Sequence, residues 1–147
     1  MEIKDFLIST RVALDIQSAD KKSLLRMLAT RAAAVLRVSA DAVSAALEKR
    51  EEIGSTGFGG GVSIPHARLR EVEQPFSLLV KLSNPIDFNA IDGQPVDLVW
   101  LLLLPASSQT DELNALAAIV RKLRDPELIR KLRQATNKSE LYRAIAA

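Results

Sequence analysis

Apolar residues recur with a helical period in the first third of the chain and predict two helices there. Residues 21–36 carry apolar side chains on one helical face, and Ser18 or Asp20 stands before them as a capping residue. A second such face covers residues 40–52, preceded by Ser39 as the cap. Their small side chains predict that the two helices pack side by side.

Alternating and continuous apolar segments predict the strands. They lie at 12–14, 62–64, 76–82 and 96–104, with a further short segment at 86–88. Asp92-Gly93 predicts a tight turn before the last of them. The segment 96–104 is bounded by Pro95 and Pro105 and is apolar on nearly all sides, so helices are expected on both faces of its sheet.

The last third returns to helical spacing. One apolar stripe is predicted on the helix that follows Pro105, and it comprises Leu113, Leu116, Ala117, Val120 and Leu123. Pro126 can begin another helix, with Leu128, Ile129 and Leu132 inside, and 139–142 can begin a last one. The chain is therefore predicted to be one α/β domain over residues 1–147, with a mixed sheet of about five strands between helices on both faces.

Composition narrows the function without identifying it. The 147 residues include 20 basic and 18 acidic side chains, a balance that argues against nucleic-acid binding. One histidine and no cysteine make a metal site improbable, and nothing indicates a cofactor. The longest apolar run, Leu98–Leu104, has seven residues, whereas a membrane span needs about 20. The N-terminus lacks the apolar region of a signal peptide, so a cytoplasmic protein without membrane insertion is expected.

A glycine-rich segment is the first candidate for chemistry. Five of the six glycines lie within residues 54–61. Glycines allow several N–H groups to turn toward one point, and such a nest binds anions, phosphate above all. The predicted phosphate-binding residues are Ser55, Thr56, Gly57, Gly59, Gly60 and Gly61. Val62 stands where an ATP-binding P-loop needs lysine, and the segment matches neither the dinucleotide fingerprint nor the serine-hydrolase elbow.

His66 is the second candidate. A lone histidine is more often structural than functional, but this one follows a predicted strand, a proline and the glycine-rich segment. A neutral imidazole is a good nucleophile near neutral pH and can hold a phosphoryl group covalently. His66 is therefore predicted to be a phosphoryl carrier.

Two charged residues each admit two interpretations. Arg50 near the end of the second helix is either a cation favoured at a helix C-terminus or a guanidinium that stabilises a phosphoryl group. Glu112 near the start of a later helix is, on charge alone, an acidic residue favoured at a helix N-terminus. The residues themselves leave both choices open.

The segment from Arg50 to His66, with its Arg-Glu pair, glycine-rich turn and Ile-Pro-His ending, resembles the active-site motif of the fructose/mannitol-type enzyme IIA family. A second block, Asn84–Phe88 through Asp92–Val99, and the C-terminal Leu-Arg-Asp and Glu-Leu-Tyr segments fit the same family. The resemblance covers nearly the whole chain. It implies that His66 is phosphorylated, through Nε2, and that Arg50 stabilises the phosphoryl group.

The chain departs from the family pattern at two positions. Ser63 stands where the family usually has alanine, and Glu112 stands where members commonly carry a second active-site histidine. A glutamate there can still orient His66 by accepting from its free ring N–H, and it would also repel an incoming phosphate. The resemblance therefore implies transfer through His66 alone.

The partners follow from the resemblance too. It implies an HPr/NPr-like phosphocarrier protein as the donor, itself charged from phosphoenolpyruvate by an enzyme I. A stand-alone IIA with this N-terminal helix pair is most like the nitrogen-regulatory branch, whose members regulate partners such as potassium-transport proteins or sensor kinases. Two alternatives are a sugar-specific IIA that passes phosphate to a fructose or mannitol IIB, and a regulatory binding module that transfers none.

Overall fold

Five α-helices and six strands make up the part of the chain that the computed structural model describes, residues 2–107 and 109–147. The strands are β1 Val12–Ile16, β2 Gly57–Gly59, β3 Val62–Ser63, β4 His66–Leu69, β5 Phe76–Ile86 and β6 Val96–Pro105. The helices are α1 Lys21–Leu36, α2 Ala40–Ile53, α3 Gln109–Leu123, α4 Pro126–Gln134 and α5 Lys138–Ala146. Two single-turn 3₁₀ helices, Ile3–Asp5 and Ser9–Arg11, precede β1.

Capping side chains set where the first two helices begin. The Asp20 carboxylate accepts from the Ser23 N–H at 2.8 Å, so Asp20 rather than Ser18 caps α1. Ser39 Oγ accepts from the Ala42 N–H at 3.2 Å and caps α2. Both caps satisfy amide groups that a helix leaves without an internal partner. The predicted bounds of α1 are confirmed, and α2 extends one residue further than predicted.

Replacing Asp20 by asparagine is expected to make the free energy of unfolding fall less steeply with decreasing pH, that is, to flatten the acid limb of the curve of stability against pH. The Ser23 N–H, the largest cause, lowers the pKa of the Asp20 carboxyl below its ordinary 3.8. A carboxyl with a depressed folded-state pKa stabilises the protein above its unfolded pKa, and this stability is lost as the pH falls through the folded value. Asparagine caps equally well without titrating. Urea unfolding of both proteins at pH 7 and from pH 4 downward checks this, and parallel acid limbs would contradict it.

The sheet is mixed, as predicted, and has one strand more than expected. Its order is β1-β5-β6-β3-β2, and β4 also pairs with β6. β1 runs parallel to β5, β3 and β4 run parallel to β6, and the remaining pairs are antiparallel. β6 is therefore the central strand, and its apolar sequence is explained because both of its faces are covered.

One apolar core lies on each face of the sheet. The first contains the inner faces of α1 and α2, together with Val99, Leu101 and Leu103 of β6. The second contains residues of α3, α4 and α5, together with Trp100 and Leu102 of β6. Successive residues of β6 thus enter opposite cores, as the pleat of a strand requires. The predicted layers of helices on both faces are confirmed.

The predicted stripe of α3 is confirmed in part, because Leu123 is buried in the second core and Leu116 and Val120 pack against that core. Leu113 is 70% exposed and Ala117 is exposed, while Ala115 and Ile119 are buried. The prediction is wrong at Leu113 and Ala117, whose places on the buried face of the helix are taken by Ala115 and Ile119.

The strand predicted at 62–64 is interrupted and then resumes. β3 ends at Ser63, and β4 begins at His66 and continues to Leu69, so His66 opens a strand instead of ending one. Pro65 has no N–H to donate, but its carbonyl accepts from Leu102 N–H at 2.9 Å and keeps the chain against β6. The short segment predicted at 86–88 belongs in part to β5, which runs to Ile86.

Replacing Ser63 by alanine is expected to stabilise the fold by about 1 kcal/mol, because a buried hydroxyl without a partner carries a desolvation cost. Ser63 is fully buried, and its Oγ has no hydrogen-bond partner among the described residues. Ser77 is the matched control, since its equally buried Oγ accepts from Trp100 Nε1 at 2.8 Å. Ser77→Ala should destabilise, and thermal unfolding that ranks the two variants in the opposite order would contradict the prediction.

Candidate functional site

The ring of His66 is fixed at both nitrogens. Its side chain is buried, with 9% of the residue exposed. Nδ1 lies 2.9 Å from the carbonyl oxygen of Ile64, and Nε2 lies 3.3 Å from Nε of Arg50. A carbonyl oxygen can only accept and an arginine Nε can only donate. Both contacts are therefore satisfied by one neutral tautomer, with the proton on Nδ1 and a lone pair on Nε2.

Arg50 makes the contact that its first interpretation predicts, and its second interpretation, stabilising a phosphoryl group, stays a prediction. It lies in the last turn of α2, and its Nη1 donates to the carbonyl of Gly54 at 2.9 Å, which stabilises the helix C-terminus. The same side chain aims Nε at His66. Because Nη1 of the guanidinium is anchored to the backbone, Nε is held beside Nε2 of His66 at little further entropic cost.

Glu51 anchors the loop that follows α2, and sequence reasoning assigned it no role. Only 5% of its side chain is exposed, and its Oε1 lies 2.9 Å from Lys21 Nζ, in the first turn of α1. Oε1 also accepts from the Thr56 N–H at 3.0 Å, and Oε2 accepts from the Thr56 hydroxyl. This arrangement ties α1, α2 and the loop together next to Arg50. The Arg-Glu pair in the motif was the available signal, but the partner at Lys21 is remote in sequence.

Glu51→Ala is expected to lower the free energy of unfolding by about 2–3 kcal/mol, since it leaves the Thr56 N–H and the Lys21 ammonium without their shared acceptor. Glu51→Gln should cost less because the amide oxygen still accepts. Glu52→Ala, an exposed neighbour, is the control. Urea unfolding measures all three, and equal effects at positions 51 and 52 would show that the network carries no stability.

Ser55, Thr56 and Gly57 form the floor of the loop with most of their polar groups already paired. Ser55 Oγ donates to the Phe88 carbonyl at 3.0 Å and accepts from the Gly57 N–H at 3.1 Å. A Cβ at Gly57 would lie 2.9 Å from that of Ala90, so only glycine fits there. These contacts give the three residues a structural role, and their predicted contact with phosphate stays a prediction.

The turn formed by Gly59, Gly60 and Gly61 is in contact with a carboxylate of the protein itself, that of Asp92. All three glycines have positive φ, between 66° and 110°. The Gly60 N–H donates to Asp92 Oδ2 at 3.0 Å, and the Gly60 carbonyl accepts from Arg133 at 2.6 Å. The pKa of the Asp92 carboxyl is lowered most by the hydrogen bond from the Gln94 N–H and next by that from the Gly60 N–H. The structure thus joins the turn to Asp92 and α4, and a phosphate nest at the three glycines gains no support from these contacts.

Glu112 contacts neither ring nitrogen of His66. Its Oε2 lies 3.3 Å from Nε of Arg68, which follows His66 on β4. The orienting role considered for Glu112 belongs instead to the Ile64 carbonyl, because that oxygen occupies the Nδ1 side of the ring. Arg68 was missed from the sequence, since nothing in its neighbours indicated a partner across the fold at Glu112.

Two classes of site are not found. Across the described residues, no group of three or more His, Asp or Glu side chains could hold a metal ion. No helix within residues 2–107 and 109–147 is long and apolar enough to cross a membrane. The candidates for chemistry among the described residues are the His66 imidazole, Arg50 in contact with it, and Arg68 two residues further along β4.

Comparison with known proteins agrees with this fold. The family model described as "Phosphoenolpyruvate-dependent sugar phosphotransferase system, EIIA 2" matches residues 5–147. The chain therefore belongs to the EIIA type 2 family of the phosphoenolpyruvate-dependent phosphotransferase system. The family predicted from the motif between Arg50 and His66 is confirmed.

Within the family, several relatives carry a regulatory name. A "Nitrogen regulatory protein" of Bradyrhizobium diazoefficiens is 40% identical over 146 residues, which is 99% of this chain and 95% of the relative. A "PTS system fructose-specific EIIA component" of Haloferax volcanii is 32% identical over 136 residues, 92% of this chain and 88% of that one. The crystal structure of nitrogen regulatory protein IIA-Ntr from Neisseria meningitidis superposes with a TM-score of 0.92 at 29% identity, covering 97% of this chain and 98% of the other.

Proposed function

We propose that this chain accepts a phosphoryl group on Nε2 of His66 from an HPr/NPr-like phosphocarrier, and that the phosphorylation state determines which regulatory partners bind. The observation that carries the proposal is the pair of contacts at His66. The Ile64 carbonyl holds the proton on Nδ1, which leaves a lone pair on Nε2 beside the guanidinium of Arg50. A nucleophile and a cation for the transferred group thus lie side by side.

The transfer step needs no base. The Nε2 lone pair of His66 attacks phosphorus, and the bond between phosphorus and the donor's nitrogen breaks, returning its electron pair to that nitrogen. The His66 ring then carries a positive charge, which the Ile64 carbonyl stabilises by accepting from Nδ1–H. Arg50 Nε, which donated to Nε2, donates to a phosphoryl oxygen instead, where charge develops in the transition state.

The regulatory part of the proposal follows from charge. A phosphoryl group adds about −1.5 to −2 charges at neutral pH. His66 itself is buried, but it contacts Arg50 in the last turn of α2, whose final residues Glu52 and Ile53 are exposed, so this charge would lie next to the surface at that helix end. A partner that accepts the neutral imidazole is disfavoured by the dianion, and the reverse holds for a partner with a basic surface. Relatives named nitrogen regulatory proteins support this branch.

Labelling with enzyme I, an HPr-like phosphocarrier and radioactive phosphoenolpyruvate tests the proposal. The expected result is one acid-labile phosphoryl group per chain, absent when the phosphocarrier is omitted. No label, or an acid-stable label typical of a hydroxyl ester, would overturn it. Pull-downs with the phosphorylated and unphosphorylated chain then test regulation, and candidate partners are the potassium-transport proteins and sensor kinases that the resemblance implies.

A sugar-specific IIA is the second candidate, because the Haloferax volcanii relative at 32% identity is named for fructose. The two candidate functions differ in which molecule accepts the phosphoryl group from this chain. Addition of a purified fructose or mannitol IIB domain to the labelled chain should discharge a sugar-specific IIA within the time of the assay and leave a regulator labelled. A chain that acts as a binding module alone would show no label in the first place.

A further inference from the structure

Arg68 lies on the same strand as His66. His66 and Arg68 are two residues apart in β4, and alternate residues of a strand project from the same face. Their Cα atoms are therefore separated by roughly 6.6 Å along the strand. An extended arginine side chain is long enough to cross that distance. Arg68 is 37% exposed at its side chain, so it is not packed away from this face.

Glu112 forms an ion pair with Arg68. Its Oε2 lies 3.3 Å from Arg68 Nε, and 22% of its side chain is exposed. A partly exposed ion pair of this kind contributes little to stability and exchanges partners readily. Glu112 has one negative charge, and a phosphoryl group on His66 has nearly two, with three acceptor oxygens. The pair is thus weak enough to break when a stronger anion arrives.

We propose that Arg68 is a second phosphoryl-binding cation and that Glu112 holds it in reserve until His66 is phosphorylated. When the Nε2–phosphorus bond forms, Arg68 leaves Glu112 and donates to the phosphoryl oxygens opposite Arg50. Glu112 then regains a free carboxylate at the first turn of α3. This inference rests on the proposed function, because it requires a phosphoryl group on His66.

Two phosphoryl donors separate chemistry from docking in the test. Transfer from the phosphocarrier requires a protein interface, whereas phosphoramidate transfers directly: its nitrogen–phosphorus bond breaks, ammonia leaves, and the same bond to Nε2 forms. Because the chain has one histidine, the amount of phosphohistidine reports His66 alone. Arg68→Gln should slow labelling by both donors about tenfold, as expected for loss of a charge-assisted contact to an anion. Arg70→Gln, an exposed arginine just past β4, is the matched control and should leave both rates unchanged.

Glu112 is tested in the same assay. Glu112→Gln should speed labelling about threefold or more, because it frees Arg68. In the Arg68→Gln background the same change should have no effect. A Glu112→Gln gain that persists in that background would overturn the proposal, since Glu112 would then act on the phosphate directly. A loss in Arg68→Gln confined to the phosphocarrier would overturn it too, by assigning Arg68 to docking.

The failures are distinguishable. Wild-type chain that accepts no label from either donor overturns both the proposed function and this inference. Equal labelling of the wild-type chain and the Arg68→Gln variant by both donors overturns the inference alone and leaves the proposed function intact.

Discussion

His66→Ala is expected to abolish phosphorylation completely. The chain contains one imidazole, and under the proposed function its Nε2, left with a lone pair by the contacts at Nδ1 and Nε2, is the nucleophile. The hydroxyls of Ser55 and Thr56 donate to Phe88 and Glu51, so they are engaged elsewhere in the fold. The measurement is the acid-labile label after incubation with phosphoenolpyruvate, enzyme I and phosphocarrier.

Folding must be controlled in this comparison. Removing the ring leaves the Ile64 carbonyl and Arg50 Nε without their partner, which costs about 1–2 kcal/mol. His66→Gln can retain a hydrogen bond to one of them and cannot carry a phosphoryl group stably. If both variants unfold cooperatively and neither is labelled, the role of His66 is chemical. Label that survives in either variant would place the phosphoryl group on another residue.

Arg50→Gln is expected to slow phosphoryl transfer about 100- to 1000-fold, the effect of removing one preorganised donor from a developing oxyanion. The neutral amide loses the charge and the forked geometry together. Arg50→Lys keeps the charge and should lie between, about tenfold below the wild type. Initial rates of labelling at limiting phosphocarrier measure all three proteins.

Lys49→Gln is the matched control for Arg50. Lys49 is the preceding residue of α2 and is exposed. Its replacement by glutamine removes the same charge from the same helix end. If both glutamine variants slow transfer equally, the field of the helix end is responsible and the contact between Arg50 Nε and His66 has no special role. Unfolding measurements should show Arg50→Gln less stable than Lys49→Gln, because only Arg50 binds the Gly54 carbonyl.

The parts of the fold that local sequence determines could be predicted. The bounds of α1 follow from a cap at Asp20 and a single amphipathic face, and β6 follows from an apolar run between two prolines. The strand after Pro65 could not be predicted, because a proline normally ends a strand and only pairing with β6 restores it here. The exposure of Leu113 and Ala117 was missed for a similar reason, since the spacing of apolar residues in α3 does not show which of them face the sheet.

The candidate site divides in the same way. Residue type and spacing pointed to His66 and Arg50, but the tautomer of the ring depends on a carbonyl brought near by the break at Ile64 and Pro65. The Glu51–Lys21 contact joins residues 30 positions apart, and Arg68–Glu112 joins residues further apart still. Contacts of that range come from the packing of α1, α2 and α3 on the sheet, which no local pattern reports.

The single histidine has a consequence for signalling. A chain with a second acceptor imidazole could shuttle its phosphoryl group internally and exist in several charge states. This chain has one histidine, and its Nε2 is in contact with Arg50. Under the proposed function, every molecule is therefore either phosphorylated at that nitrogen or unphosphorylated. Under the proposed function, the ratio of phosphorylated to unphosphorylated chain is then the donor's own ratio multiplied by one equilibrium constant, and the population responds to its donor in a graded way without a threshold.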